Sequence, residues 1–335
     1  MKLLFSLIAI TLLFISCNKG AVTDSKLNAD STETNTSKNC NFNQLGLTPI
    51  TDFGVSYYRG YQGGLYPNGS NVRQGLHLSN ALSIATTIKN LNINGQPDAN
   101  GAVVMIGVGA SNPRTEFNAF TQQIIASGSL KSNVKIINTC IGGQGVQKMN
   151  APTANYWEQA KKTLQQQGFT NAQVQVAWVE TENTANSDTV FPRAPLQLIN
   201  DIKLLLETMK LKFPNIKICY LSSRAFSGYA VASANEVGKG LLYPRDYYNG
   251  WALKWIVEKQ INNEPGYTIA SIPFITMGNY NWSRGGQPRN DGFFLDCNMD
   301  VGPDGLHLTA TGEQKIGTLM KNFFLTDTTT FGWLR

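Results

Sequence analysis

The sequence predicts an α/β domain: a doubly wound, mostly parallel five-stranded sheet with helices on both faces. Three observations predict it. The chain has 335 residues, 42% hydrophobic and 15% charged, with a mean hydropathy of −0.19, so it carries enough apolar mass for a core. Five continuous apolar runs bounded by turn residues fall at 103–108, 134–141, 174–179, 216–221 and 269–277, as expected of strands buried on both faces. Most are followed by a helix-length segment, and alternating strands and helices imply right-handed crossovers in a parallel sheet.

Residues 1–16 open with Lys2 and continue as an apolar run too short to span a bilayer, the pattern of a signal peptide. Ser16-Cys17 at its end resembles the lipobox of bacterial lipoproteins, which implies acylation of Cys17 and a lipid-anchored place in the bacterial cell envelope. Removing 16 residues leaves 319 and, with Lys2 gone, a net charge of +5 in place of +6. No block of five or six basic residues accompanies that charge, so nucleic acid is not an expected partner. Residues 17–43 are Ser, Thr, Asn, Asp and Lys with few apolar side chains, a disordered tether on composition. The domain is expected over 44–335.

Within it, 44–100 reads as an irregular elaboration. Tyr57, Tyr58, Tyr61 and Tyr66 crowd around Gly60, Gly63 and Gly64 there, and such rings either stack on sugars or cover a sheet edge. A helix-like stretch follows at 78–91. At 194–213, Leu198, Ile202, Leu205 and Met209 form one apolar helical face, and another helix-like stretch runs over 248–261. Cys40, Cys140, Cys219 and Cys297 show no C-x-x-C spacing, which excludes a zinc ribbon or redox pair and leaves any disulfide pairing unread.

In a sheet of this kind ligands bind beyond the carboxyl ends of the strands. After the first run stand Gly107-Val108-Gly109-Ala110-Ser111-Asn112. A dinucleotide fingerprint needs glycine where Asn112 stands and an acid where Asn138 and Thr139 close the second run, so it fails twice. The remaining readings of Ser111 are an ordinary helix cap and a nucleophile on a strand-to-helix turn, whose own N–H stabilises an oxyanion. A nucleophilic serine needs a base, and the chain has two histidines. His307 follows Asp304 by three residues across Gly305, placed so that a carboxylate orients one ring nitrogen and leaves the other to take a proton. His77 has no such partner. Asp296, Asn298, Asp300, Gly302 and Asp304 alternate as in a calcium loop, but Val301 replaces its turn glycine and His307 its bidentate glutamate, so no metal or other cofactor is expected.

Gly109-Ala110-Ser111, Ile141-Gly142-Gly143-Gln144 and Asp304-Gly305-Leu306-His307 together resemble the SGNH (GDSL-like) hydrolase superfamily. The resemblance implies a flavodoxin-like sheet and ester hydrolysis, with Ser111 as nucleophile, His307 as base, Asp304 as orienting acid and Gly143 as a second oxyanion donor. Gly64 to Pro67 and Tyr220 to Arg224 are similar to segments of an exported bacterial subgroup. Two departures stand out. The acid before the family's serine is Ala110, and its Gly-x-Asn-Asp motif is replaced by Val179-Glu180-Thr181-Glu182-Asn183. Asn183 or Asn112 then becomes the candidate third oxyanion donor, and Glu180 or Glu182 opposes an oxyanion unless protonated or paired. Arg224 either neutralises such an acid or binds a substrate carboxylate; with Glu180 and Tyr66 it makes up the expected substrate-contacting set. The expected function is a serine esterase acting on acetyl or other short acyl esters of carbohydrate. The rival is a catalytically degenerate surface protein of the same fold that binds glycans.

Overall fold

The computed structural model describes residues 38–41, 47–231 and 239–335, all within the unit Thr36–Arg335. Cys17 and the leader lie outside the described residues.

Five strands form one parallel sheet: β3 (Val103–Gly109), β4 (Val134–Asn138), β5 (Val174–Glu180), β6 (Ile218–Leu221) and β7 (Phe274–Met277), in the order β4-β3-β5-β6-β7. Numbered from the first sheet strand, that order is the flavodoxin-like 2-1-3-4-5, and its switch point lies between β3 and β5. Two faces are buried, which is why the strands read as unbroken apolar runs. On β3, Val104, Ile106 and Val108 enter one core and Val103 and Met105 the other. The first core is completed by α3 (Asn155–Gln166), α4 (Arg193–Lys212) and α5 (Arg245–Ile261); the second by α1 (Gly75–Ala85), α2 (Ser111–Ala126) and α6 (Ala310–Thr326). On α4, Leu198, Ile202, Leu205 and Met209 are buried as their spacing predicts.

The two glycines that resembled a nucleotide motif serve packing. A Cβ on Gly107 would meet the Phe117 ring at 2.7 Å, and one on Gly109 would meet the Glu180 carbonyl at 2.3 Å and the Pro113 ring at 2.6 Å. Glycine at both places lets α2 lie close against β3.

Of the clustered tyrosines, Tyr58 and Tyr61 cover α5, while Tyr57 is exposed. Tyr57–Tyr58 (β1) and Tyr61–Gln62 (β2) form a hairpin through Arg59 and Gly60, both at positive φ, as a tight hairpin turn requires. Tyr58 packs on Phe191, Tyr247 and Trp251, and Tyr61 on Phe191 and Trp255. Residues 38–41 differ from the expected free tether. Lys38 donates to the carbonyls of Cys297 and Val301 at 2.5 and 2.6 Å, and Cys40 is disulfide-bonded to Cys297.

Candidate active site

Ser111 opens α2 directly after β3. The N-cap position is Ala110, so Ser111 is the first helical residue, and its N–H is among those an α-helix leaves unsatisfied at its start. The partner of its hydroxyl is His307, 196 residues further along the chain: Ser111 Oγ lies 2.9 Å from His307 Nε2. His307 Nδ1 lies 2.5 Å from Asp304 Oδ2, while Asp304 Oδ1 accepts the N–H groups of Leu306 and His307 at 3.0 and 2.9 Å. Burial opposes ionisation of Asp304, but the His307 hydrogen bond and the two backbone donors outweigh it and hold the carboxyl down at about 2. An ionised Asp304 only accepts, so Nδ1 carries the ring proton and Nε2 is free to accept from the Ser111 hydroxyl.

The sequence explains the turn that presents the histidine. Gly305 sits at φ +73°, and a Cβ there would lie 2.3 Å from the Tyr229 carbonyl oxygen. Val301 bridges Leu308, the Gly302 N–H donates to the His307 carbonyl at 2.7 Å, and Thr309 caps α6 through the Gly312 N–H. Residues of the alternating acidic run have their own protein partners: Asp300 Oδ2 holds Lys315 and the Asp296 N–H, and Asp296 Oδ1 accepts the N–H groups of Asn298 and Met299. The run is a turn scaffold.

Gly143, after β4, is at φ +72° with open space where a Cβ would stand. Lys148 donates to its carbonyl at 2.9 Å. Its N–H has no hydrogen-bond partner among the described residues, so it remains available as a donor. The other expected oxyanion donors are committed elsewhere. Asn112 is buried and its amide donates to the Leu306 carbonyl at 3.0 Å, tying the histidine turn to α2. Asn183 donates to Asp201 on α4 at 2.7 Å and caps its own loop through the N–H groups of Ala185 and Asn186.

Both carboxylates that threatened the oxyanion are neutralised. Glu182 is ion-paired with Arg245 of α5 at 2.6 Å and also accepts from Asn249. Glu180 is fully buried, accepts from Asn281 at 2.9 Å and feels the charge of the equally buried Glu116 of α2. Burial and then the charge of Glu116 push the Glu180 carboxyl far up, which favours its neutral form. Glu180 is therefore part of the floor and not a substrate contact. Tyr66 is likewise buried, its hydroxyl 2.7 Å from Thr276 Oγ1 and accepting the Met277 N–H, which corrects its expected substrate role. His77 stacks on Phe274 away from the triad; burial and then the Arg73 charge lower it to about 4.

Glu116, Asn281, Arg245 and Asn249 are the residues the sequence reading missed. One signal existed: Glu116 stands on the face of α2 that buries Asn112, Pro113, Phe117 and Phe120, where an acid is out of place unless it has a buried partner.

No family model matches the chain, and no curated protein matches it. Solved structures do resemble it. A carbohydrate esterase family 3 protein from Talaromyces cellulolyticus matches with a TM-score of 0.41 and 13% identity over 67% of this chain and 96% of that one. A family two carbohydrate esterase from Clostridium thermocellum gives 0.40 and 12% over 69% and 64%. A candidate SGNH hydrolase from Slackia heliotrinireducens gives 0.37 and 9% over 67% and 99%. The likeness is one of fold. The chemistry inferred below stands on Ser111, His307 and Asp304.

Proposed function

We propose that the chain is a serine ester hydrolase of SGNH type that removes acetyl or other short acyl groups from carbohydrate through an acyl-enzyme. The observation that carries the reading is the continuous hydrogen-bonded line from Ser111 Oγ through His307 to Asp304. His307 Nε2 takes the hydroxyl proton as Ser111 Oγ attacks the ester carbonyl carbon, and the oxyanion accepts the N–H groups of Ser111 and Gly143. The proton on Nε2 passes to the departing alcohol, leaving the acyl group on Ser111. His307 then deprotonates a water that attacks the acyl carbon, and the carboxylic acid leaves as the serine recovers its proton. Asp304 stays ionised and holds the imidazole in the required tautomer.

The carbohydrate part rests on the exported leader, because Tyr58 and Tyr61 pack on α5 and Tyr66 is buried against β7. A degenerate binding protein has no use for a histidine so oriented, and no observation here favours it. Lipid anchoring at Cys17 is part of the proposal; Cys17→Ser is expected to release the protein from membranes, and unchanged retention would count against the anchor.

The test is the hydrolysis of one activated acetyl ester by single and double variants. Ser111→Ala and His307→Ala are each expected to lose on the order of 10⁴-fold or more in kcat, and the double variant no more than either alone. Asp304→Asn should lose less. A His307→Ala enzyme retaining most of its rate would remove His307 as the base, and additive losses would show that the two do not act as a unit.

A further inference from the structure

Arg224, the cation expected at the site, is buried after β6, and its charge bears on the buried carboxyls of Glu116, Glu180, Glu182 and Asp246. That is the neutralising one of its two expected uses. A different cation reaches the triad's support from the other end of the chain.

The Asp304–His307 turn hangs on the connection from β7 to α6, which contains isolated bridges but no helix or strand. With no ladder to hold it, its position is set by discrete anchors. Lys38 supplies three of them. Its ammonium donates to the carbonyls of Cys297 and Val301 at 2.5 and 2.6 Å, and its backbone N–H donates to the Pro303 carbonyl at 2.9 Å. The next N–H, of Asn39, donates to the Tyr229 carbonyl at 2.8 Å, and the residue after that is Cys40, bonded to Cys297.

Each contact falls on the loop that delivers the orienting acid or on what supports it. Pro303 directly precedes Asp304. Gly305 lies against the Tyr229 carbonyl with no room for a Cβ. On the far side of the turn, Val301 bridges Leu308 and the Gly302 N–H holds the His307 carbonyl at 2.7 Å. Two lysines thus tie the alternating acidic run, Lys315 through Asp300 Oδ2 at 2.5 Å and Lys38 through two main-chain carbonyls drawn to one ammonium. Bonds from a charged donor are roughly twice as strong as neutral ones, and the group they steady, Asp304, must stay aligned with His307 Nδ1 over 2.5 Å.

We propose that Lys38 is a positioning residue for the hydrolytic chemistry: by gathering the 297–303 loop around its ammonium and holding Pro303, it sets where Asp304 stands and how His307 faces Ser111. This rests on the hydrolase reading above. The strap at 38–40 is then part of the active-site scaffold, although its composition belongs to the tether.

Steady-state kinetics of the full chain on 4-nitrophenyl acetate test this, with Ser111→Ala as the blank and circular dichroism at the assay temperature to show that each variant is folded. Lys38→Met keeps the apolar stem and removes the ammonium. It is expected to lower kcat about 10- to 100-fold, the scale of a reacting group displaced by about 1 Å, with KM changed less than about two-fold. Lys38→Arg should recover part of the loss. In an Asp304→Asn background Lys38→Met should cost little more, because the group it positions has already lost its role; a lysine that only stabilised the fold would lower the melting midpoint and leave the kcat of folded protein unchanged. Should Lys38→Met not fold, Cys40→Ala, which loosens the strap and keeps the lysine, decides by the same measure: a lower kcat at unchanged KM supports the inference, and an unchanged kcat overturns it. Wild-type kcat in folded Lys38→Met, or a loss that multiplies in full with that of Asp304→Asn, likewise overturns it and leaves the hydrolase reading standing. A wild-type chain without Ser111-dependent turnover would remove the hydrolase reading, and the inference with it.

Discussion

Glu116 and Glu180 show how one residue pair alters the reading of a site. In the sequence Glu180 stands where an acid should harm an oxyanion; in the fold both it and Glu116 are fully buried, and burial pushes both carboxyls up toward the neutral form. Neither acid announces its partner, because one leaves a strand end and the other sits on a helix face 64 residues earlier. Ser111, His307 and Asp304 were legible for the opposite reason: their turn chemistry is local, with glycine and a short spacing as markers. The carboxyl pair also sets a pH dependence. Burial raises the folded-state pKa of both groups above the ordinary 4.5, so the unfolded chain gives up protons that the folded one keeps. Stability is then lost progressively as pH rises above about 4.5. Glu116→Gln, which removes one of the two buried titrating carboxyls, is expected to match the wild type near pH 4 and to gain on it as pH rises toward 8. Thermal midpoints of the two proteins across that range check this, and parallel curves would contradict the raised carboxyl.

At the scale of elements, the site is held by the packing of α2 on α6. Ser111 begins one helix and the Asp304–His307 turn leads into the other, so their spacing sets the distance from nucleophile to base. Gly317 of α6 lies against the α2 backbone; a Cβ there would approach Phe120 N at 2.8 Å and Ala119 C at 2.9 Å. Backbone cannot swing aside as a side chain can. Gly317→Ala is expected to cost about 1–3 kcal/mol in stability and to lower kcat more than it raises KM, because it moves His307 without touching a substrate pocket. Steady-state kinetics beside a denaturant melt would show it; unchanged kcat in a destabilised variant would mean the helix contact does not govern the triad. The strands were legible because burial on both faces writes continuous apolar runs. Their limits were less so: the run at 269–277 yields a strand only over Phe274–Met277, with Ile269 58% exposed in the turn before it. The hairpin of tyrosines was illegible because α5 is buried on almost every side, leaving no polar face to mark what covers it.

Across the whole molecule, the Cys40–Cys297 bond ties the entry of the chain into the fold to the loop that carries Asp304, over a separation of 257 residues. Four scattered cysteines gave no pairing in the sequence, whereas folding leaves Cys140 and Cys219 buried and free. Closing so long a loop stabilises by up to about 5 kcal/mol on the chain-entropy account. Reductant and Cys40→Ala are each expected to lower the thermal midpoint by the same amount, and no change in either would contradict a structural role for the bond. The central claim is that this fold assembles a working nucleophile from residues 196 apart. Intact-mass and peptide analysis after treatment with a fluorophosphonate tests it most directly. One phosphonyl adduct on Ser111, lost in His307→Ala and after unfolding, is the predicted result; a folded wild-type chain left unlabelled, or labelled equally well without His307, would contradict it.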